Sequence, residues 1–245
     1  MCGTCGCSDA DGVRLNPEPA AGSVPVRTIA LERQVLAKND VLAAKNRIWL
    51  REKGILAINL MSSPGAGKTT LLENTLRELG STIPIGVIEG DQETLLDSNR
   101  LRAAGCRAVQ INTGAGCHLD AGAVGEALTS LDPPDGSVVF VENVGNLVCP
   151  ALFDLGEHRR VVIASITEGE DKPLKYPHMF QAAHLVLLNK IDLLPYLDYD
   201  VAGFSGNARI ANPSVDVVPV SATRDTGLEG WHEWLRANLT QVLTA

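Results

Sequence analysis

One stretch decides the fold of this chain: Ile55-Leu-Ala-Ile-Asn-Leu-Met61, followed directly by Ser62-Ser-Pro-Gly-Ala-Gly-Lys-Thr-Thr70. The apolar run is typical of a buried strand, and the glycine-rich turn after it is typical of a phosphate-binding loop. Glycines allow the backbone to curl until successive N–H groups face one concavity, and the following helix adds its positive end. The order of strand, loop and helix therefore predicts a P-loop nucleotide site.

Each position of this loop has an expected role. Lys68 is expected to reach the β- and γ-phosphates, and the Thr69 hydroxyl is expected to bind Mg²⁺. The loop departs from the usual Gly-x4-Gly-Lys-Ser/Thr pattern at Ser62, which occupies the first glycine position. An ordinary glycine-rich turn is the alternative. The predicted nucleotide ligands here are Gly65, Ala66, Gly67, Lys68, Thr69 and Thr70.

Apolar, β-branched segments alternate with helical segments along the rest of the chain. The candidate strands are residues 55–61, 82–88, 107–111, 137–142, 160–166, 184–189 and 215–220. Nearly uninterrupted apolar strands suit a sheet that is covered on both faces, and alternation with helices predicts parallel strands. We therefore expect an α/β fold with a doubly wound, mostly parallel sheet flanked by helices, as in P-loop NTPases.

A second motif directly follows a predicted strand and is typical of a guanine-binding site. In Asn189-Lys-Ile-Asp192, the Asp192 carboxylate can accept hydrogen bonds from the ring N–H and exocyclic amine of guanine. Adenine would place an acceptor nitrogen against that carboxylate. Lys190 is expected to lie along the base plane, Asn189 to brace neighbouring loops, and Ser221-Ala222 to support the base. The motif favours GTP, although alone it also occurs as a surface turn.

Acidic residues near the ends of two other predicted strands are candidates for binding Mg²⁺ and sensing the nucleotide. In Glu142-Asn-Val-Gly145, Glu142 is expected to contact Mg²⁺ and the Gly145 N–H to sense the γ-phosphate. Asp91 and Asp97 compete for the first switch role, and the sequence does not choose between them. Carboxylates at helix N-termini are the alternative. The predicted catalytic set is Lys68, Thr69, Asp91 and Glu142.

Composition limits the class of protein. The 245 residues are 45% hydrophobic and 20% charged, which is a soluble, globular composition. The formal charge of −8 argues against a nucleic-acid-binding surface. No apolar run approaches the roughly 18 residues of a membrane span, and the N-terminus lacks the layout of a secretory signal. We therefore expect a cytoplasmic protein. In such a reducing compartment, cysteines are more often metal ligands or inert buried residues than members of disulfides.

Two groups of cysteines are candidate metal sites. Cys2-Gly-Thr-Cys5-Gly-Cys7 places three thiols within six residues; square-planar S/N ligation would suit Ni²⁺ and tetrahedral ligation Zn²⁺. A reactive tail without metal is the alternative. Cys117 and His118, together with Cys149, offer two thiolates and an imidazole and leave a coordination position open. Inert, buried cysteines are the alternative for this second group.

We expect four regions along the chain. Residues 1–7 form a cysteine metal-binding motif, and residues 8–27, rich in Pro, Ala, Gly and Asp, form a flexible linker. Residues 28–54 form a helix that packs on the GTPase domain, residues 55–245.

Helix starts and buried faces are predicted from capping residues and periodicity. Thr28 is the expected N-cap of the first helix, and Thr226-Gly-Leu-Glu229 is the expected capping box of the last. The predicted buried stripe of the first helix is Leu31, Val35, Leu42 and Trp49. The predicted buried stripe of the last is Leu228, Trp231, Leu235, Leu239 and Val242.

Several motifs together resemble a known family, the nickel-incorporation GTPases that mature nickel–iron hydrogenase (HypB). The matching stretches are Cys-x-x-Cys-Gly-Cys at 2–7, the phosphate loop at 62–70, Gly-Asp-Gln-Glu-Thr at 90–94, Gly-Cys-His-Leu-Asp at 116–120, Glu-Asn-Val-Gly-Asn-Leu-Val-Cys-Pro at 142–150, Glu-Gly-Glu-Asp-Lys-Pro-Leu-Lys-Tyr-Pro at 168–177, Asn-Lys-Ile-Asp at 189–192 and Ser-Ala-Thr at 221–223. The likeness extends over nearly the whole chain.

The resemblance implies a GTPase of the signal-recognition-particle, MinD and BioD class, which forms a homodimer when GTP is bound. The implied metal ligands are Cys117, His118 and Cys149 near the dimer interface, for Ni²⁺ or Zn²⁺, and Cys2, Cys5 and Cys7 as a tight nickel site. GTP hydrolysis would then control nickel transfer to the hydrogenase large subunit. The implied partners are the maturation protein HypA and a nickel metallochaperone such as SlyD. Lys172 and Lys175 would reach the nucleotide across the dimer.

Three other functions compete with this interpretation. A urease-type nickel GTPase usually carries a Cys-Pro-His motif, whereas Cys117 and His118 are adjacent. A passive nickel or zinc buffer would not need the intact Lys68, Thr69 and Asp192. A small-molecule kinase would have no use for the cysteine clusters.

Overall fold

The computed structural model describes residues 26–91, 96–114 and 116–244, with the backbone alone described for residues 26–33 and 96–97. Some sequence predictions therefore lie outside the described residues. They are the ligands Cys2, Cys5 and Cys7, the linker up to residue 25, and the side chains of Leu31 and Asp97.

The described residues alternate strands with helices. The strands are β1 (Leu56–Ser62), β2 (Ile85–Asp91), β3 (Arg107–Asn112), β4 (Val138–Glu142), β5 (Arg159–Ser165), β6 (Leu185–Asn189) and β7 (Asp216–Pro219). The helices are α1 (Val26–Glu52), α2 (Lys68–Leu79), α3 (Leu96–Ala103), α4 (Ala121–Leu131), α5 (Cys149–Leu152), α6 (Lys172–Lys175), α7 (Pro177–Gln181), α8 (Val201–Ala211) and α9 (Leu228–Leu243), and a 3₁₀ helix covers Ile191–Tyr196. Each strand overlaps a segment predicted from the sequence, so the predicted α/β fold is confirmed.

The strands form one parallel sheet, in the order β3-β2-β4-β1-β5-β6-β7 within the described residues. The chain leaves β1 toward β2 and β3 on one side, returns to β4, and continues from β5 on the other side. The connections therefore reverse direction beside β1. In open α/β sheets, ligands bind at the carboxyl ends of strands at such a point.

Helices bury both faces of the sheet. On one face, Leu56 and Ile58 of β1 belong to the same apolar cluster as Leu72 of α2 and Trp231 of α9. On the other face, Ala57 belongs to a cluster that includes residues of α1 and α4. Burial on both faces explains why the strands are continuously apolar instead of alternating. Among the described helices, none combines the length and the apolarity that crossing a bilayer requires.

The start and the buried face of α1 differ from the prediction. Thr28 lies inside the helix and not at its N-cap, because the helical backbone already includes Val26. Val35 is 49% exposed, so its predicted place in the buried stripe is wrong. The predicted Leu42 and Trp49 are partly buried, and Trp49 packs on an apolar cluster of the domain. The face that packs on the domain also carries four residues that were not predicted, Asn39, Ala43, Asn46 and Leu50.

Two asparagines on this face hold α1 to the domain. The side chain of Asn39 donates to the Asp154 carbonyl at 2.7 Å and accepts from the Ala121 N–H at 2.8 Å. The amide of Asn46 donates to the carbonyls of Ala121 and Leu155 at 2.8 and 3.0 Å. The first turn of α4 is therefore capped by a side chain from α1, and polar groups direct the packing of α1.

The capping box predicted for the last helix is also wrong, although the buried face is right. α9 begins at Leu228, and Gly227 before it has a left-handed backbone with φ of 71°. Thr226 instead pairs with Ser221 through two backbone hydrogen bonds of 2.8 and 3.2 Å. This pairing draws Thr226 away from the helix end. The buried residues of α9 include the predicted Leu228, Trp231, Leu235 and Leu239, and Val242 is partly buried.

Candidate functional site

The candidate nucleotide site is a cleft of about 460 Å³ at the carboxyl ends of β1, β2 and β4. Its walls come from the loop after β1, the ends of β2 and β4, and Arg100 of α3. The predicted ligands that line the cleft are Gly65, Gly67, Lys68, Thr69, Thr70, Asp91, Glu142 and Gly145. The structure therefore brings together, at one end of the sheet, residues from three separate predicted motifs.

The loop after β1 has the conformation that its glycines predict. Gly65 and Gly67 have φ angles of 71° and 104°, in the region that favours glycine. A Cβ atom on Gly67 would also collide with the side-chain amide of Asn189. Lys68 Nζ donates to Ser62 Oγ at 2.8 Å, so the serine that replaces the usual first glycine contacts the phosphate-binding lysine.

Oxygen atoms that could bind Mg²⁺ lie together beside this loop. Thr69 Oγ1 donates to Glu142 Oε1 at 2.9 Å. Glu89, on the neighbouring strand β2, lies in register with Glu142, and both residues are buried. Asp91 follows on the same strand and lines the cleft. This set of hydroxyl and carboxylate oxygens suits Mg²⁺. Glu89 was not among the predicted ligands, although its spacing of two residues from Asp91 places both on one face of a strand.

The loops of the predicted base site are joined by one side chain. Asn189 Nδ2 donates to the Ala66 carbonyl at 2.9 Å, and Asn189 Oδ1 accepts from the N–H groups of Lys190 and Ala222 at 2.8 and 3.0 Å. Lys190 Nζ donates to the Gly65 carbonyl at 2.7 Å. The bracing that was expected of Asn189 is thus present in the structure, and it links the phosphate loop to the loop after β7.

The carboxylate expected to select guanine is held by the same loop. Asp192 lies in the 3₁₀ helix that follows β6, and its Oδ1 accepts from the Ser221 hydroxyl at 2.6 Å. Ser221 Oγ also accepts from the Arg224 N–H at 3.2 Å. These contacts fix the side chain of Asp192 relative to the loop after β7.

A short segment leads from the cleft to the second cysteine cluster. At its start, Gly145 packs so tightly on the phosphate loop that an added Cβ would lie 2.9 Å from Pro64 Cα. Next to it, Asn146 Oδ1 accepts from the N–H groups of Val148 and Cys149 at 2.8 and 3.3 Å. This turn starts α5 with Cys149 as its first residue. The segment therefore touches the cleft at one end and carries a thiol at the other.

The candidate metal centre is formed by Cys117, His118 and Cys149, whose ligand atoms lie within 4.8 Å of one another. The two Sγ atoms are 2.9 Å apart, and Cys117 Sγ is 3.6 Å from His118 Nδ1. The His118 ring stacks on Phe153 with centroids 3.9 Å apart. Burial lowers the pKa of His118, against the opposing charge of Asp120, which favours the neutral imidazole that can bind a metal. Two thiols and a neutral imidazole suit nickel or zinc.

Lys172 and Lys175, the two lysines of the family motif at 168–177, have partners within their own chain. Lys172 Nζ donates to Ser63 Oγ of the phosphate loop at 2.8 Å and pairs with Glu168 at 2.9 Å. Lys175 pairs with Asp171 at 2.6 Å on the surface. Lys172 therefore contacts the phosphate loop of its own chain, and its expected reach across a dimer stays a prediction.

Comparison with known proteins identifies the family. The family model of the CobW/HypB/UreG nucleotide-binding domain matches residues 56–219. The hydrogenase maturation factor HypB of Rhizobium leguminosarum bv. viciae is 53% identical over 212 residues, which are 86% of this chain and 71% of the relative.

Two solved structures are also similar. The crystal structure of HypB from Archaeoglobus fulgidus has a TM-score of 0.78 at 40% identity, covering 83% of this chain and 100% of that one. The crystal structure of HypB from Helicobacter pylori in complex with nickel has a TM-score of 0.78 at 36% identity, covering 83% of this chain and 96% of that one. This chain therefore belongs to the HypB family of hydrogenase maturation factors, within the wider CobW/HypB/UreG group.

Proposed function

We propose that this protein is a GTP hydrolase that carries nickel for the maturation of nickel–iron hydrogenase, and that its nucleotide state controls when nickel is held. One observation carries the proposal: the segment that begins at Glu142 in the nucleotide cleft ends at Cys149 in the metal cluster. Membership of the HypB family and the nickel complex of the Helicobacter pylori protein support the same function.

The nucleotide half of the proposal rests on the cleft. The start of α2 and Lys68 would bind the phosphates, and Asp192 would select guanine by accepting two hydrogen bonds. Thr69, Glu142 and Asp91 would hold Mg²⁺, which neutralises charge on the phosphate oxygens. Asp97 remains the alternative to Asp91 as the first switch residue. No glutamine stands in an obvious water-orienting position, so we expect slow intrinsic hydrolysis.

The metal half of the proposal treats nickel as cargo. Two thiolates and one imidazole leave one coordination position of the ion open. A ligand from a partner protein could bind there when nickel is received or passed on. A GTP-dependent homodimer would bring two such centres together. Cys2, Cys5 and Cys7 would form a second nickel site, and Zn²⁺ would compete at either site. The proposed partners are HypA, the hydrogenase large subunit and a metallochaperone such as SlyD, all in the cytoplasm.

Titration of the full-length protein with Ni²⁺ tests this function. Isothermal calorimetry would compare the GDP-bound protein with the protein bound to a non-hydrolysable GTP analogue. The Cys2→Ser/Cys5→Ser/Cys7→Ser variant would isolate the centre at Cys149. We expect a different Ni²⁺ affinity or stoichiometry in the two states. Equal binding in both, or the absence of guanine-selective turnover, would contradict the proposal.

Cys106 provides a matched control for this titration. It is a buried cysteine, but it lies before β3 and belongs to the main apolar cluster, not to the metal centre. Cys106→Ser is therefore expected to leave Ni²⁺ binding unchanged, whereas Cys149→Ser is expected to weaken it in both nucleotide states.

A further inference from the structure

We propose that Asn143 is a positioning residue that transmits the nucleotide state to the metal centre through a chain of buried, oriented hydrogen bonds. The inference rests on the proposed function and deepens it, because it names the side chain that ties the nucleotide-sensing segment to the ligand-bearing loop.

Asn143 touches both segments directly. It is 1% exposed and follows the last residue of β4. Its Oδ1 atom accepts from the Val144 N–H at 3.0 Å and from the Leu119 N–H at 3.3 Å. Val144 belongs to the segment that lines the nucleotide cleft, and Leu119 directly follows the ligand His118. The side-chain carbonyl of Asn143 therefore binds the backbone of the nucleotide-sensing segment and the backbone of the ligand-bearing loop.

The orientation of this amide is set by a buried carboxylate. Asn143 Nδ2 donates to Asn59 Oδ1 at 3.3 Å, and Asn59 Nδ2 donates to Glu157 Oε1 at 3.4 Å. Because a carboxylate only accepts, Asn59 must turn its NH₂ group toward Glu157 and its carbonyl toward Asn143. Asn143 must then turn its own carbonyl toward the two backbone N–H groups. The sequence of donors and acceptors permits one arrangement.

The hydrogen-bond network continues beyond Glu157 and reaches the metal centre from a second side. Arg160 Nε donates to Glu157 Oε1 at 2.5 Å. The Arg160 Nη atoms donate to the carbonyls of Ala151 and Phe153 at 3.3 and 3.4 Å. Ala151 lies in α5, the helix that Cys149 begins, and the Phe153 ring stacks on His118. The same network therefore holds both loops that supply metal ligands.

This arrangement makes independent movement of the two segments costly. If the segment at Val144 moves when the nucleotide changes, an Asn143 side chain that stays in place loses the Val144 N–H. A side chain that moves with the segment loses the Leu119 N–H unless the loop at Leu119 follows. A buried N–H that loses its partner costs more free energy than an ordinary hydrogen bond contributes. The loop that carries Cys117 and His118 is therefore expected to follow the movement, and the geometry of the centre changes with it.

The test compares Ni²⁺ affinity in the GDP state and the GTP-analogue state of the full-length protein. Cys2, Cys5 and Cys7 are replaced by serine in the wild-type reference as well as in every variant, so that the centre at Cys149 is isolated. In the wild type we expect the two affinities to differ by at least about fivefold, which is the lower end of allosteric coupling. In Asn143→Ala we expect the ratio to fall to within about twofold of one, with Ni²⁺ still bound. The ratio is the decisive readout, because a purely structural defect lowers stability in both states.

Asn238 offers a matched control. It is buried, bonds the arginine Arg159 and the carbonyl of Trp234, and lies on α9, outside both sites. Asn238→Ala also removes a buried amide, and we expect it to keep the wild-type ratio. Asn143→Ser serves if Asn143→Ala does not fold, since a hydroxyl can still accept from Val144 but is too short to reach Leu119 or Asn59.

The outcomes separate the two proposals. A wild-type ratio in a folded Asn143 variant would overturn the role of Asn143 and leave the proposed function standing. Loss of the ratio in Asn238→Ala as well would also overturn it, because the effect would then be non-specific. Equal affinities in the wild type would overturn nucleotide gating, and the role of Asn143 with it.

Discussion

Replacing Asn39 with alanine tests whether α1 is attached to the domain by polar side chains. Asn39 is 5% exposed, and its amide satisfies the Ala121 N–H and the Asp154 carbonyl. A buried backbone group left without a partner costs about 1–3 kcal/mol. Ala121 is fully buried, whereas Asp154 is partly exposed. Loss of the partner of the Asp154 carbonyl is therefore expected to destabilise the fold less than loss of the partner of the Ala121 N–H. Together they predict a loss of about 2–4 kcal/mol in the free energy of unfolding.

Urea unfolding followed by circular dichroism measures this loss. For a chain of this size an m-value of about 3 kcal/mol/M is reasonable, so the midpoint is expected to fall by about 1 M. Lys45→Ala is the matched control, since Lys45 is exposed on the same helix. Its effect is expected to stay within about 0.5 kcal/mol.

Two results would refute this account of the packing of α1. One is a loss for Asn39→Ala no larger than that of Lys45→Ala. The other is a larger loss for Val35→Ala than for Asn39→Ala, because Val35 is half exposed and should contribute little. The second result would mean that the apolar stripe predicted from the sequence, and not the asparagines, holds α1 on the domain.

Three further predictions concern the site and pH. In the Cys2→Ser/Cys5→Ser/Cys7→Ser background, Cys149→Ser is expected to weaken Ni²⁺ binding at least about tenfold by calorimetry, because a hydroxyl is a poor ligand for this ion. Cys106→Ser in the same background is expected to leave Ni²⁺ binding unchanged. Asp192→Asn is expected to lower kcat/KM for GTP by about 10⁴-fold and to raise it for xanthosine triphosphate, measured by phosphate release. Burial, helped by nearby arginines, lowers the pKa of His158 and His184 below 6.5, and both accept backbone N–H groups at Nδ1. The unfolded chain therefore binds more protons than the folded protein does. The free energy of unfolding is expected to fall as pH drops from about 7.5 to about 5.5, and to fall less in the variant His158→Gln/His184→Gln.

The strands could be predicted because the information for them is local. A strand buried on both faces is continuously apolar, and the segments around Leu56 and Leu185 show this without knowledge of their neighbours. The buried face of α1 could not be predicted in this way. It is set by Asn39 and Asn46, whose partners lie 75 to 115 residues further along the chain. Apolar periodicity therefore pointed to Val35, which is exposed.

The site shows the same division between local and long-range information. The phosphate loop follows from consecutive residues, and its glycines have the positive φ angles that they predict. The position of Glu89 beside Glu142 was missed, because their pairing in the sheet depends on β4 lying next to β2. Thr226 was assigned to a helix cap because its competing partner, Ser221, belongs to a backbone pairing that has no sequence signature.

Strand order also explains why nucleotide and metal can be linked through so few residues. Because β4 lies between β1 and β2, the segment after it begins beside the phosphate loop, and the loop that follows β3 must cross the end of β2 to reach it. The loop after β3 reaches this segment across Gly90, where any Cβ would lie 2.8 Å from the Leu119 side chain. Asn143 is the first residue beyond β4, and its side chain accepts from the Leu119 N–H of the loop after β3. A substitution such as Gly90→Ala should thus separate the metal loop from Asn143 without altering a single ligand.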